Sequence, residues 1–311
     1  MALALVLGDN GSGLTTFVGL LYTAQVRYGI ETEDEFRFHA DRESINALGQ
    51  IYGAIGDGHF PVAEAEFDER PLEFSLGFRR GRLPWGSRQG PATDPAFDVV
   101  NLRVGGMLAE DVVAIYHHDA VLTQPPRELL SSPVVIPLID ASRLTPKGAP
   151  VPDRVTRFDV TLSATLGLID RAIGTERQRR ARRMFPLFVA TKLDRMPRET
   201  LQELGGPSTT PEQWSPGDRA VFGQHLLGQY LPKTSSFLQD MKAHHSVIAP
   251  VSWYFSYVGT TTDPGGEPRI ARHLRIPEGG WEPVYPYTEY RALLTRLGDL
   301  AHQLPHPAFA V

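Results

Sequence analysis

The chain has 311 residues, 22% of them charged and 41% hydrophobic, and a net charge of −5, which argues against a general nucleic-acid-binding surface. It contains no cysteine, which excludes disulfides and thiolate metal sites. No apolar run approaches the ~20 residues of a membrane helix, and residues 2–7 lack the basic leader of a signal peptide, so a cytoplasmic protein without a membrane span is expected.

Residues 2–7 are continuously apolar and bounded by glycine, which predicts a fully buried strand. From Leu14 to about Arg27, apolar residues at Phe17, Leu20, Leu21, Ala24 and Val26 predict a helix ending near Gly29. Glu31–Glu35 opens a polar segment, and a second helix is expected over Arg42–Ile55. A glycine-rich link then leads to Phe60-Pro61. Leu72, Phe74, Leu76 and Phe78 alternate over Pro71–Arg79, the period-two mark of a half-buried strand. A strand at Phe97–Val104, ending in Gly105-Gly106, pairs with it in a hairpin-like way, and residues 80–95 read as a loop.

A helix is expected around Leu108–His117, and Pro133–Ile139 is an apolar strand that ends in Asp140-Ala141-Ser142. Val155, Phe158, Leu162, Leu166, Ile169 and Ile173 form a helical stripe. The basic cluster Arg177–Arg183 reads as a solvated face before a strand at Phe185–Ala190. Residues 195–245 are helical, with Ser215, Pro216 and Asp218 as start signals. A strand at Val247–Val251, a loop over Gly259–Gly280 and a helix from about Thr288 to Leu304 complete the chain.

Strands alternating with helices define an α/β fold with a mainly parallel sheet. The hairpin-like pair at 71–79 and 97–104 suggests one antiparallel strand at or near an edge. Residues 1–311 are read as one domain with a helical insertion at about 195–245 and a loop insertion at about 256–286. In such sheets, ligands meet the carboxyl ends of the strands.

The first strand runs into Gly8-Asp9-Asn10-Gly11-Ser12-Gly13-Leu14-Thr15-Thr16. This is the phosphate-loop pattern G-x-x-x-x-G-K-[ST] with leucine in the lysine position. Backbone N–H groups from Gly8 to Thr16 would cradle an anion at a helix N-terminus, and the Thr15 hydroxyl would hold Mg²⁺. A tight turn that binds nothing is the plain alternative. Thr191-Lys192-Leu193-Asp194 follows a second apolar strand, and on its own it could simply start a helix with Asp194 as its cap.

These segments resemble the translation-factor-related, Ras-like P-loop GTPases. Thr191–Asp194 is similar to their guanine motif [NT]-K-x-D, in which the aspartate accepts from the base and the lysine stem packs on it. Ser252-Trp253 resembles the last base-contacting loop, S-A-[KL], although Trp253 departs from alanine. Asn101–Gly106 resembles the D-x-x-G segment with Gly106 aligned, but Arg103 stands at the aspartate. Gly58-His59-Phe60-Pro61-Val62-Ala63 is similar to the G-x-x-P-x-T pattern of the bacterial double-GTPase group, with Ala63 at the threonine. Asp140-Ala141-Ser142 matches a strand ending common in that fold and is taken as fold evidence alone.

The resemblance covers about residues 2–260 and implies a three-layer P-loop NTPase sheet binding GTP or GDP. Loss of the lysine removes a charge-assisted contact worth ~1.5–3 kcal/mol. Phosphoryl transfer depends on positioning and charge stabilisation. With Leu14, Arg103 and Ala63 at three key positions, efficient hydrolysis and an ordinary Mg²⁺ site are not expected. The resemblance therefore implies a catalytically degenerate GTPase-like regulatory or scaffolding subunit. Its expected partner is another protein, such as an active GTPase or a co-encoded subunit. The alternatives are an active switch with an atypical loop, or a protein-interaction module that binds no nucleotide. Arg103 could also contact phosphate in the lysine's place.

A dinucleotide site is a weaker reading of Gly11-Ser12-Gly13-Leu14-Thr15-Thr16, with Glu31 and Glu33 as ribose acids, because the third glycine is absent. His117-His118-Asp119 and His244-His245 are solvated polar residues on this reading, since helical neighbours point about 100° apart and chelate poorly.

Overall fold

The structure is a computed structural model, and it describes residues 2–31, 36–40, 42–61, 72–79, 97–106, 133–175, 184–243, 249–274 and 280–303. The expected loop at 80–95, the helix around 108–117, the basic cluster 177–183 and both histidine pairs lie outside those residues. So do Glu33 and Ala63.

The hydrophobic runs form one sheet of seven strands: β1 (Ala2–Gly8), β2 (Phe36–Ala40), β3 (Leu72–Arg79), β4 (Phe97–Gly106), β5 (Val134–Asp140), β6 (Phe185–Thr191) and β7 (Ser252–Ser256). Their order is β2-β3-β4-β1-β5-β6-β7, and β4, β1, β5, β6 and β7 run parallel. The seven helices are α1 (Leu14–Glu31), α2 (Arg42–Gly56), α3 (Asp153–Thr175), α4 (Arg198–Glu203), α5 (Pro216–Tyr230), α6 (Pro232–Ala243) and α7 (Tyr287–Gln303), counted among the described residues.

Both faces of the sheet are covered, which is why its central strands read as continuous apolar runs. On one face Val6, Phe74, Ile136 and Leu187 pack with Phe17 of α1, Ile55 of α2 and Leu294 of α7. On the other, Leu5, Val135, Phe188 and Phe255 pack with Leu162 of α3, Phe222 of α5 and Leu238 of α6. The layering is helix, sheet, helix.

Several expectations need correction. β3 is the antiparallel strand, but it is not the edge, because β2 pairs on its outer side. Phe36-Arg37-Phe38-His39-Ala40 alternates over only five residues and follows an acidic run, which hid β2. α1 continues through Gly29 to Glu31. The expected loop at 259–280 contains two small hairpins, β8–β9 (Thr260–Thr262, Pro268–Ile270) and β10–β11 (Arg272–Leu274, Trp281–Pro283). The Ser215 cap of α5 is present as a reciprocal capping box with Asp218.

β7 is an edge strand, and its outward groups have partners. Glu289 of α7 accepts from the Phe255 N–H at 3.1 Å, while Arg219 of α5 donates to the Trp253 carbonyl at 3.3 Å. The two side chains also bond each other, with Arg219 Nη1 2.7 Å from Glu289 Oε2. Glu289 is buried and Arg219 partly exposed, and together they occupy two outward groups of β7, which hinders further strand pairing there. Removing Glu289 leaves the Phe255 N–H without its acceptor and Arg219 without its carboxylate, but the guanidinium keeps the Trp253 and Pro211 carbonyls and is 20% exposed, so Glu289→Ala should lower unfolding stability by about 2 kcal/mol. Urea denaturation followed by circular dichroism measures this, and a loss below ~1 kcal/mol would sink the edge-closing role.

Candidate functional site

The loop between β1 and α1 is shaped by side chains from the ends of β5 and β6. Gly11 and Gly13 have φ of +75° and +85°, a region open chiefly to glycine. A Cβ on Gly8 would sit 2.4 Å from Ser12 Oγ, so glycine is required there by the loop's own packing. The Asn10 carbonyl accepts from Arg143 Nη2 at 2.8 Å. The Gly11 carbonyl accepts from Lys192 Nζ, and the Ser12 carbonyl from Thr191 Oγ1 at 2.6 Å. Three consecutive carbonyls are drawn outward.

The N–H groups are left differently. Asp9 takes two of them: Oδ1 accepts from Asn10 N and its carbonyl accepts from Ser12 N, both at 2.8 Å. The N–H groups of Gly11, Gly13, Leu14, Thr15 and Thr16 have no acceptor among the described residues. They lie at the N-terminus of an 18-residue helix, where unpaired N–H groups and the helix dipole favour an anion. The side chain of Leu14 packs against the core shared by α1, α2 and α7.

Asp140 organises the cations. It ends β5, next to β1, and is 7% exposed. Its Oδ2 lies 2.8 Å from Lys192 Nζ and 3.1 Å from Arg143 Nε, and Oδ1 accepts from Ser142 N–H. Arg143 continues to Asp9 Oδ2 at 2.8 Å. Lys192 is in the left-handed region, φ 52°, the one non-glycine residue there among the described residues. Such backbone persists when the surroundings fix it, and here the ammonium is bonded to both the loop and Asp140. Sequence reasoning took Asp140 as fold evidence only and did not identify Arg143. The available signal was a carboxylate ending a buried strand, three residues before an arginine.

Asp194 lies in a short 3₁₀ turn, Leu193–Arg195. Poor solvation raises its carboxyl above the ordinary aspartate range despite a backbone hydrogen bond and the nearby Arg195 and Lys192 charges. Phe60 lies beneath the Arg195 guanidinium, 5.8 Å from ring centre to Cζ. The link carrying Phe60 is tied down by Ile270 N–H, which donates to the Gly58 carbonyl at 2.8 Å.

The structure brings Gly8–Thr16, Gly106, Thr191, Lys192 and Asp194 to one end of the sheet. Gly106 is level with Gly8 across the β1–β4 ladder. Ser252 and Trp253 are not at that end. They begin β7, with Ser252 level with Leu187, and the carboxyl end of the strand is Ser256, level with Thr191. Of the expected strand at 247–251, residues 247 and 248 lie outside the described ones and 249–251 are not in a strand, since Pro250 has no N–H for a ladder, whereas the aromatic run Trp253–Phe255 fills β7. Trp253 is a core residue, stacked on Phe188 at 5.1 Å and pressed against Gly223. Arg103 stands level with Leu5, three residues short of Gly106, and among the described side chains Arg143 and Lys192 are cations bonded to the loop.

The Thr15 and Thr16 hydroxyls have no partner among the described residues. No group of three or more His, Asp or Glu that could hold a metal occurs among those residues. No described helix is long and apolar enough to cross a membrane. No protein-family model matches the chain, and no curated protein matches it either.

Asp140→Ala should leave Lys192 and Arg143 without their shared carboxylate. The two cations keep 30% and 19% exposure, so the loss should be roughly 2–3 kcal/mol rather than the ~3–5 kcal/mol of a fully buried pair. Amide hydrogen exchange should also be faster than in the wild type at Asn10 and Ser12, whose N–H groups are bonded to Asp9. Unchanged protection of that loop would contradict the anchoring role of Asp140.

Proposed function

We propose that this chain is a GTPase-like protein that binds GDP or GTP on the Gly8–Thr16 loop, hydrolyses it poorly or not at all, and serves as a regulatory or scaffolding subunit for another protein. The observation that carries the reading is the loop's polarity. Three carbonyls are fixed toward Arg143, Lys192 and Thr191, while five N–H groups at the start of α1 are left for an anion. An empty turn has no need of that division.

The base end is assigned to Lys192 and Asp194, and the connection between them and the loop supports the assignment. Thr191 and Lys192, read separately in the sequence, are bonded to Ser12 and Gly11 of the phosphate loop. An aspartate in a poorly solvated turn selects a ligand offering two adjacent N–H donors, as guanine does and adenine does not. The sheet order weighs against a dinucleotide site. In that fold the strand after the first helix lies beside the first strand, whereas β2 is separated from β1 by β3 and β4.

Catalytic weakness follows from what stands at the phosphate end. Leu14 packs on the core and supplies no charge there. Arg103 is the residue where a metal-ordering carboxylate would be. Mg²⁺, if held at all, would depend on Thr15 and the nucleotide's own oxygens.

A second reading, a protein-interaction module of the same fold, has its own support: Asp9 already occupies two of the loop's N–H groups. Calorimetric titration separates the two. Binding of GDP with a Kd below the millimolar range, at least tenfold tighter than ADP, is expected for the nucleotide reading. Asp194→Ala should weaken GDP by about 10–100-fold, the equivalent of a lost charged hydrogen bond of ~1.5–3 kcal/mol. Failure of both GDP and GTP to bind at millimolar concentration would leave only the interaction module.

A further inference from the structure

We propose that the two hairpins, β8–β9 and β10–β11, hold and control the link at residues 56–60, with Arg272 as the latch, and that a ligand on Gly8–Thr16 does not. The clamp stands whatever the loop binds. That it keeps the link indifferent to nucleotide rests on the guanine-nucleotide reading above.

The latch follows from how α2 ends. A helix leaves its last four carbonyls without partners inside it. Three of those in α2 are taken locally: Asp57 N–H donates to Gly53 at 2.9 Å, His59 N–H to Ala54 at 2.8 Å and Gly58 N–H to Ile55 at 3.0 Å. This is a Schellman turn, with Gly58 at φ +80° as its left-handed residue. The last helical carbonyl, that of Gly56, accepts from Arg272 Nη1 at 2.7 Å, which puts a cation at the negative end of the helix dipole. Two residues on, the Gly58 carbonyl accepts from Ile270 N–H. The two backbones approach so closely that a Cβ on Gly58 would lie 3.1 Å from the Ile270 carbonyl. Arg269 bonds the His59 ring and is itself held by Asp263 at 2.8 Å.

The hairpins give this grip a firm base. Three backbone bonds join them: Gly259 N–H to Val284, Ala271 N–H to Gly259 and Val284 N–H to Ala271, at 2.7, 2.8 and 2.8 Å. Glu282 of β11 is buried and pairs with Arg27 of α1 at 3.0 Å. The Arg272 guanidinium also stands over the Trp281 ring, 5.4 Å from its centre. By contrast, no hydrogen bond joins residues 56–60 to Gly8–Thr16 among the described residues. The link meets the candidate site through Phe60 beneath Arg195, a ring face rather than a bond that a ligand could exchange. Ala63, where the resemblance expects a threonine, has no hydroxyl to offer a ligand. A ligand moves a segment only by interacting differently with its two states, and the link gives it no bond with which to do so.

Hydrogen exchange on the full chain, read residue by residue by NMR, tests this in two arms. In the ligand-free protein, Arg272→Ala should speed exchange at Gly58, His59 and Ile270 about tenfold, as expected for a lost charged hydrogen bond, with Val135–Ile139 of β5 unchanged. Arg269→Ala, which spares the bond to Gly56, should act in the same direction by less. In the wild type, GDP and a non-hydrolysable GTP analogue should each slow exchange at Gly11–Thr16 and leave Gly58, His59 and Ile270 as they were. Unchanged exchange of those three amides in folded Arg272→Ala protein overturns the clamp. Exchange there that differs between the GDP and GTP-analogue complexes overturns control by the hairpins. Either result leaves the nucleotide reading intact. Wild-type protein that binds neither nucleotide overturns that reading, and the clamp is then decided by Arg272→Ala in the ligand-free protein.

Discussion

Everything at the candidate site depends on how the peptide groups of residues 10–12 are turned. A loop can present N–H groups to one side only if its carbonyls find partners on the other. Here the partners are the guanidinium of Arg143, the ammonium of Lys192 and the hydroxyl of Thr191, each taking one carbonyl in succession. Two of these are cations that would wander on a solvated surface. The nearly buried carboxylate of Asp140 holds both, which makes one residue at the end of β5 the support for a loop that begins after β1. The adjacency of β1, β5 and β6 in the sheet is what allows it.

This arrangement separates shaping the loop from doing chemistry in it. The described charges bonded to the loop, Arg143 and Lys192, are engaged with its backbone and with Asp9 and Asp140, and Leu14 at the start of α1 is apolar and packs against the core. Under the proposed function, affinity comes from backbone N–H groups and from the base end. Little remains to stabilise charge in a transition state. A protein of this kind would report the presence of a nucleotide more readily than consume it.

The sequence was legible where local signals and burial coincide. β1, β3, β5, β6, α2, α3 and α7 appear within a residue or two of their expected bounds, because each has an apolar run or stripe long enough to dominate its window. The errors have specific causes. Pro250 and the serine at 252 suggested a strand end where a strand begins, so Ser252 and Trp253 were assigned to the wrong end of the sheet. β2 was too short to show its alternation beside acidic neighbours. The site was only half readable for a different reason. Glycines and T-K-x-D mark positions along the chain, but the bonds from Asp140 and Arg143 join segments more than 40 residues apart, which no window contains.

The ion pair that closes β7 also bears on the order in which the chain acquires its structure. Arg219 precedes the strand, but Glu289 lies on α7, more than 30 residues after Phe255. A ribosome-bound chain that has completed β7 has no acceptor yet for that outward N–H, and Tyr254, on the face that α7 covers, lacks that helix. Until α7 is made and docks, the sheet resembles a template for strand addition. Docking of α7 is therefore the step that supplies the acceptor for the outward Phe255 N–H, and a chain interrupted before residue 287 would lack it.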